Sequence, residues 1–210
     1  MNSPFYQREL SEAEKKYVAN KLIANEEAQL IIEYFSERGF IQRDSFDVTK
    51  SIQLQTETES GTVSEVSLGD DVFIWYSHFN HLKIPNAIEK VTGVVVKDNK
   101  EQQFEVDNGE VKLINETIVI EANHDDDRFI TQDNCFVHGN WCGPGCSGPS
   151  DPIDDLDACC MVHDKCYERE GYFNCQCDID VIECTNGIPG WKAFMVRAYF
   201  IAAQVAGFCA

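Results

Sequence analysis

The residues with the clearest chemical potential lie in the last third of the chain. Cys159, Cys160, His163, Asp164, Cys166 and Tyr167 follow one another at helical spacing, and Cys175-Gln176-Cys177-Asp178 comes shortly after. A neutral imidazole at His163 can take a proton from water, provided its second nitrogen donates to an acceptor that fixes the tautomer. Asp178 is a candidate for that acceptor. If Cys177 pairs with Cys166, one helical turn from His163, its carboxylate is delivered to the same neighbourhood. Upstream lies His138-Gly139-Asn140-Trp141-Cys142-Gly143-Pro144-Gly145-Cys146. A Gly-Pro-Gly segment turns without side chains in the way, so successive carbonyls can face one point. Such a ring suits a hard cation, since Ca²⁺ takes about six to eight oxygen ligands, carboxylates included. If Cys142 pairs with Cys160, the loop is stapled beside Asp164, and carbonyls and carboxylate can share one ion.

Each pattern has a plainer reading. A Gly-Pro-Gly segment is most often only a turn. Cys159, Cys160, His163 and Cys166 crowd together as zinc ligands do, but these four ligands would leave seven cysteines over. His78 and His81 sit beside Trp75 and Tyr76, where a histidine pair is usually packing and surface. The acidic run Asp125-Asp126-Asp127 reads as a solvated linker ahead of a second cation site.

In order along the chain, the Trp-Cys-Gly-Pro-Gly loop from Trp141, the Cys-Cys-x-x-His-Asp-x-Cys-Tyr helix from Cys159 and the Cys-x-Cys-Asp from Cys175 resemble the secreted phospholipase A2 family, nearest to its compact venom-type branch. The resemblance covers about residues 135–210 and none of the first domain. It implies Ca²⁺ held by the backbone carbonyls of Trp141, Gly143 and Gly145 and by the carboxylate of Asp164. It implies His163 as general base, Asp178 as its orienting partner and Tyr167 in the supporting network. The implied reaction is hydrolysis of the sn-2 ester of a glycerophospholipid by an activated water, without an acyl-enzyme, releasing fatty acid and lysophospholipid. In it the Gly143 amide helps stabilise the oxyanion. The family pattern also implies bridges Cys142–Cys160, Cys159–Cys184, Cys166–Cys177 and Cys175–Cys209, which leaves Cys135 with Cys146. Two positions depart from it: Asn140 stands where many members have a cysteine, and Cys146 replaces a glycine. The alternative function is a non-catalytic membrane- or protein-binding toxin module on the same scaffold, for which a replaced His163 or Asp164 would have been the sign; both are intact.

These side chains need elements to position them. Residues Ile153 to Glu168 read as a helix, with Pro152 at its start and Asp154, Asp155 and Asp157 favourable at its N-terminus. Trp191, Phe194, Met195, Ala198, Ile201, Ala202, Val205 and Phe208 follow the spacing of a core helix. Earlier in the chain, Ser11-Glu12-Ala13-Glu14 is a capping box opening a helix with Tyr17, Val18 and Leu22. Asn25 caps a second helix with Leu30, Ile31, Tyr34 and Phe35, which Gly39 ends. The period then changes to two around Ile52, Leu54 and Thr56, with strands at Val72 to Tyr76, Val94 to Val96 and Ile118 to Ile120. Asn108-Gly109 between Phe104-Glu105-Val106 and Val111-Lys112-Leu113 is a hairpin signal. The expected fold is thus an α+β N-terminal domain, residues 1–130, with two helices and then an antiparallel sheet. An all-α, disulfide-rich domain follows over residues 131–210.

Composition sets the compartment and the partners. All ten cysteines lie between Cys135 and Cys209, a density that belongs to an oxidising, secreted or otherwise extracytoplasmic setting. The start, MNSPFYQREL, shows no signal peptide, so export is expected by prior cleavage or another route. A net charge of -19 argues against nucleic acid. The expected partner is a phospholipid membrane or micelle surface, met by an apolar rim of Phe136, Val137, Trp141, Pro149 and Ile153. The N-terminal domain is expected to be a pro-region in intramolecular contact with the catalytic cleft, a targeting module or a partner-binding domain. Asn115-Glu116-Thr117 forms a glycosylation sequon.

Overall fold

The computed structural model describes residues 6–41, 46–55, 59–81, 85–119, 137–143 and 146–205. The chain divides into two compact units, residues 1–119 and 120–210; the expected boundary at residue 130 lies outside the described residues.

The first unit is a seven-stranded antiparallel meander with two helices on one face. Its strands are β1 (Tyr6–Arg8), β2 (Asp47–Gln55), β3 (Glu59–Gly69), β4 (Val72–His81), β5 (Ile88–Lys97), β6 (Lys100–Asp107) and β7 (Glu110–Ile118), and they lie side by side in chain order. Helices α1 (Glu12–Ile23) and α2 (Glu26–Glu37) are inserted between β1 and β2. Each begins as its sequence implies. The Ser11 amide donates to Glu14 at 2.8 Å, the return half of a capping box. The Asn25 side chain accepts from the Ala28 amide at 3.0 Å. Gly39, at φ +71, ends α2 in a left-handed stop in which Phe40 N–H reaches Phe35 O and Gly39 N–H reaches Ser36 O.

Leu22, Ala28, Ile31 and Phe35 pack on Val66, Ile74, Tyr76, Val91, Val95 and Phe104. Tyr17, expected on the helical stripe, is exposed. Residue 93 is glycine because α2 sits directly upon it: a Cβ there would meet Ile31 Cγ2 at 2.5 Å and Phe35 Cζ at 2.7 Å. The anticipated hairpin forms through Asn108 (φ 54) and Gly109 (φ 80), with Asp107 opposite Glu110. A second two-residue turn, Asp98-Asn99, joins β5 to β6 with the same positive φ at both positions. Strand β3 was not anticipated, although it is the partner of both β2 and β4.

Among its described residues the second unit holds three helices, α3 (Asp155–Glu170), α4 (Cys175–Thr185) and α5 (Trp191–Val205), preceded by a loop that pairs His138 with Cys142. Helix α3 starts two residues later than expected, because Asp154 rather than Pro152 is its cap and accepts the Asp157 amide at 2.9 Å. Trp191, Phe194, Met195, Ala198 and Ala202 of α5 are buried, while Phe208 lies outside the described residues. Among the described residues no helix is long and apolar enough to cross a membrane.

Candidate active site

Three disulfides build the site. Cys159–Cys184 and Cys166–Cys177 tie α3 to both ends of α4, and Cys142–Cys160 ties the loop to α3 with Cα atoms 5.1 Å apart. All three are pairings that the sequence pattern implied. Cys146 and Cys175 are disulfide-bonded as well; their expected partners, Cys135 and Cys209, lie outside the described residues. With Cys159, Cys160 and Cys166 committed to disulfides, the zinc reading has no thiolates left to use.

Between the two α3–α4 cross-links lie His163 and Asp178. His163 Nε2 is 3.0 Å from Asp178 Oδ1, and both side chains are buried. A carboxylate only accepts, so Nε2 carries the hydrogen and the neutral ring keeps its lone pair on Nδ1. That nitrogen lies 3.7 Å from Asp164 Oδ1. The Tyr167 hydroxyl donates to the same Asp178 oxygen at 2.5 Å, and the Tyr167 ring packs on His163 with centroids 4.2 Å apart. Burial pushes the His163 imidazole toward its neutral form, but hydrogen bonding and charge from Asp164 and Asp178 outweigh it. The net effect raises its pKa above the ordinary 6.5. Burial and the Asp178 carboxylate together push the Tyr167 phenol well above its usual range, so it stays a donor.

What Asp164 could hold follows from its donor chemistry. Asp164 Oδ2 is buried without a hydrogen-bond partner, which is costly for a carboxylate oxygen unless a cation meets it. Among the described residues no three His, Cys, Asp or Glu side chains gather into a metal cluster. A cation at Asp164 would therefore draw its other ligands from backbone carbonyls and water, the donor set of a hard ion such as Ca²⁺. The loop can provide them. Cys142 N–H donates to His138 O at 3.1 Å, so in a trans peptide the Trp141 carbonyl points the opposite way. The Gly143 carbonyl accepts the Cys146 amide at 3.1 Å and keeps a second lone pair. Gly145 lies outside the described residues.

Of the expected apolar rim, Ile153 and Pro149 are exposed and Val137 is half-buried, whereas Phe136 lies outside the described residues. Trp141 departs from the expectation: it is buried, its indole N–H donating to Ser150 O at 2.9 Å and its ring lying against Gly148. Sequence reasoning also missed Phe200, whose ring centroid is 4.5 Å from that of His163. It sits beside the main apolar stripe of α5, where spacing carries no signal. Asp157, read only as a favourable charge near the helix start, is fully buried.

No family model matches the chain, and no solved structure matches it. Among curated proteins, the basic phospholipase A2 nigexine of Naja pallida is 55% identical over 38 residues, 18% of this chain and 30% of that protein. Phospholipase A2-beta of Arabidopsis thaliana is 45% identical over 51 residues, 23% and 35% of the two chains. A probable phospholipase A2 homolog 2 of Oryza sativa is 37% identical over 68 residues, 30% and 44%. The chain thus spans less than half the length of the curated relatives it matches. The similarity to phospholipase A2 proteins falls on the disulfide-rich helical part of this protein, over partial segments.

Proposed function

We propose that the C-terminal unit is a calcium-dependent phospholipase A2, hydrolysing the sn-2 ester of glycerophospholipids to a fatty acid and a lysophospholipid. The observation that carries this reading is the buried His163–Asp178 pair, whose imidazole keeps its free nitrogen beside Asp164. His163 Nδ1 takes a proton from a water as that water attacks the ester carbonyl, Asp178 stabilises the imidazolium that results, and the proton passes to the sn-2 oxygen as its bond to the carbonyl carbon breaks and the lysophospholipid leaves. Tyr167 holds Asp178 in place. Asp164 and the carbonyls of Trp141, Gly143 and Gly145 would hold calcium, which supplies charge to polarise the ester carbonyl and to bind the phosphate. The Gly143 amide is assigned to the developing oxyanion.

Hydrolysis of a labelled phospholipid by the full chain, with Ca²⁺ and with chelator, tests metal, base and reaction class together when run beside His163→Gln. Release of labelled fatty acid only with calcium, lost in His163→Gln, is the expected result. Equal release with chelator, or by the variant, refutes it.

A second reading is a non-catalytic module, suggested because one similar protein, 59% identical over 34 residues, is an acidic phospholipase A2 homolog, the taipoxin gamma chain of Oxyuranus scutellatus scutellatus. Intact His163, Asp164 and Asp178 favour the enzyme. The disulfides support an extracytoplasmic setting. The exposed Ile153 and Pro149 support contact with a lipid surface. For the N-terminal unit the proposed role is inhibition or targeting, since an active lipase endangers the membranes of the cell that makes it. Equal specific activity of the full chain and of a fragment starting near Asp133 would remove the inhibitory version.

A further inference from the structure

The loop ahead of α3 is held by a carboxylate as much as by its own backbone. Asp157, in the first turn of α3, is 0% exposed. It gathers three backbone amides: Asn140 N–H at 3.0 and 2.9 Å from its two oxygens, Trp141 N–H at 2.8 Å from Oδ1, and Ile153 N–H at 3.0 Å from Oδ2. These donors come from positions 140, 141 and 153, so one side chain joins the chain before Cys142, the chain after Pro152 and the helix. A carboxylate removed from water is costly unless its lone pairs are met, and here the amides and the acid satisfy one another. Gly139 belongs to the same arrangement. It sits at φ +59, and a Cβ there would lie 2.2 Å from Asp157 Cγ.

The consequence falls on Trp141. Its own amide is anchored to Asp157, and the next amide, Cys142 N–H, is anchored to His138 O. With both flanking N–H groups committed, the Trp141 carbonyl between them has one direction. We infer, on the reading of the backbone at residues 138–143 as part of a calcium site, that Asp157 is the positioning residue of that loop. It sets the loop in the ligating arrangement before the ion arrives, and so controls calcium affinity without touching the ion.

Calcium titration calorimetry on the full chain, comparing wild type, Asp157→Asn and Asp164→Asn, tests this. An amide at 157 keeps one acceptor oxygen but turns an NH₂ toward N–H donors that need an acceptor. Asp157→Asn is expected to weaken calcium binding by about 10–100-fold, the usual effect of removing the partner of a ligand group, with amide protection in α3, α4 and α5 kept. Asp164→Asn is expected to abolish binding. Wild-type affinity in Asp157→Asn, with binding lost only in Asp164→Asn, overturns the positioning role and spares the calcium site. No binding by wild type overturns the site, and the role with it. Amide hydrogen exchange on the calcium-free wild type decides the matter even if Asp157→Asn does not fold. Protection of the Asn140, Trp141 and Ile153 amides before calcium is added is expected. Exchange of all three at free-peptide rates, slowed only by calcium, overturns the inference.

Discussion

The Tyr167 hydroxyl and His163 Nε2 meet on one oxygen of Asp178. That oxygen fixes the tautomer of the ring while the phenol fixes the oxygen, so the two donors have unequal importance for a proton transfer. Asp178→Asn is expected to lower kcat by about 10²–10⁴-fold, the range of a lost general-base arrangement. Tyr167→Phe removes one hydrogen bond to a charged acceptor and is expected to cost about 1.5–3 kcal/mol of stability, with a smaller loss of kcat. Steady-state hydrolysis and denaturant unfolding of both variants measure the two effects. An equal loss of kcat in both would mean that the phenol takes part in the proton transfer itself.

The orphaned Asp164 Oδ2 gives opposite signs with and without metal. In chelator, Asp164→Asn is expected to be at least as stable as wild type, because a neutral amide costs less to bury than a carboxylate. With calcium at about one hundred times its dissociation constant, wild type should gain about 2.7 kcal/mol and the variant nothing. Thermal unfolding in chelator and in calcium reads both. A calcium-dependent gain in Asp164→Asn would place the ion elsewhere.

Much of this was legible in the sequence, and the exceptions share a cause. Both N-terminal helices start where Ser11 and Asn25 announce them, since a cap satisfies amides within its own turn and needs no tertiary partner. The three described disulfides are among the pairings that the family resemblance implied; spacing alone left them open, since they join elements 11 to 25 positions apart. Strand β3 was missed because buried Ser64 and Glu65 interrupt its valines. Glu65 tolerates burial because the Trp75 indole N–H, 2.9 Å away, and the Thr49 hydroxyl, 3.0 Å away, both donate to it. The Asp98-Asn99 turn has no glycine, and positive φ at both positions comes from polar residues that tolerate it. Asp157 was misread because two of its three donors lie 16 and 17 positions away. A carboxylate at a helix start looks the same in sequence whether it faces water or a buried loop.

The Cys142–Cys160 bridge spans 18 positions and is the covalent link between loop and helix. Replacing both cysteines by serine avoids a lone thiol and should cost about 3 kcal/mol by loop-closure entropy. Calcium affinity should fall as well, because the Asp157 hydrogen bonds, the His138–Asp154 contact and packing then hold the loop to α3 without a covalent tie. Denaturant unfolding and calcium titration of the double variant test this. Undiminished affinity would show that these non-covalent ties suffice.

The N-terminal unit offers a pH signature that does not involve the lipase site. The Glu89 carboxylate accepts from Lys21 at 3.1 Å and from the Asn25 side chain at 3.0 Å, and it lies 2.8 Å from His78 Nδ1. Burial pushes its pKa up, but hydrogen bonds from His78 and Lys21 and the Lys21 charge prevail, bringing it down to about 2. A depressed carboxylate stabilises the fold above its unfolded pKa, about 4.3, and that stabilisation is lost as pH falls toward the folded value. Glu89→Gln is therefore expected to be less stable than wild type at pH 5 by on the order of 1–2 kcal/mol after allowance for solvent screening. The gap should close as pH falls through about 2, below which the acid is protonated in both states. Amide exchange in β4 and β5, followed over that range in the full chain, reports on this unit alone. A gap that stays constant with pH would mean that Glu89 acts through packing and not through its charge.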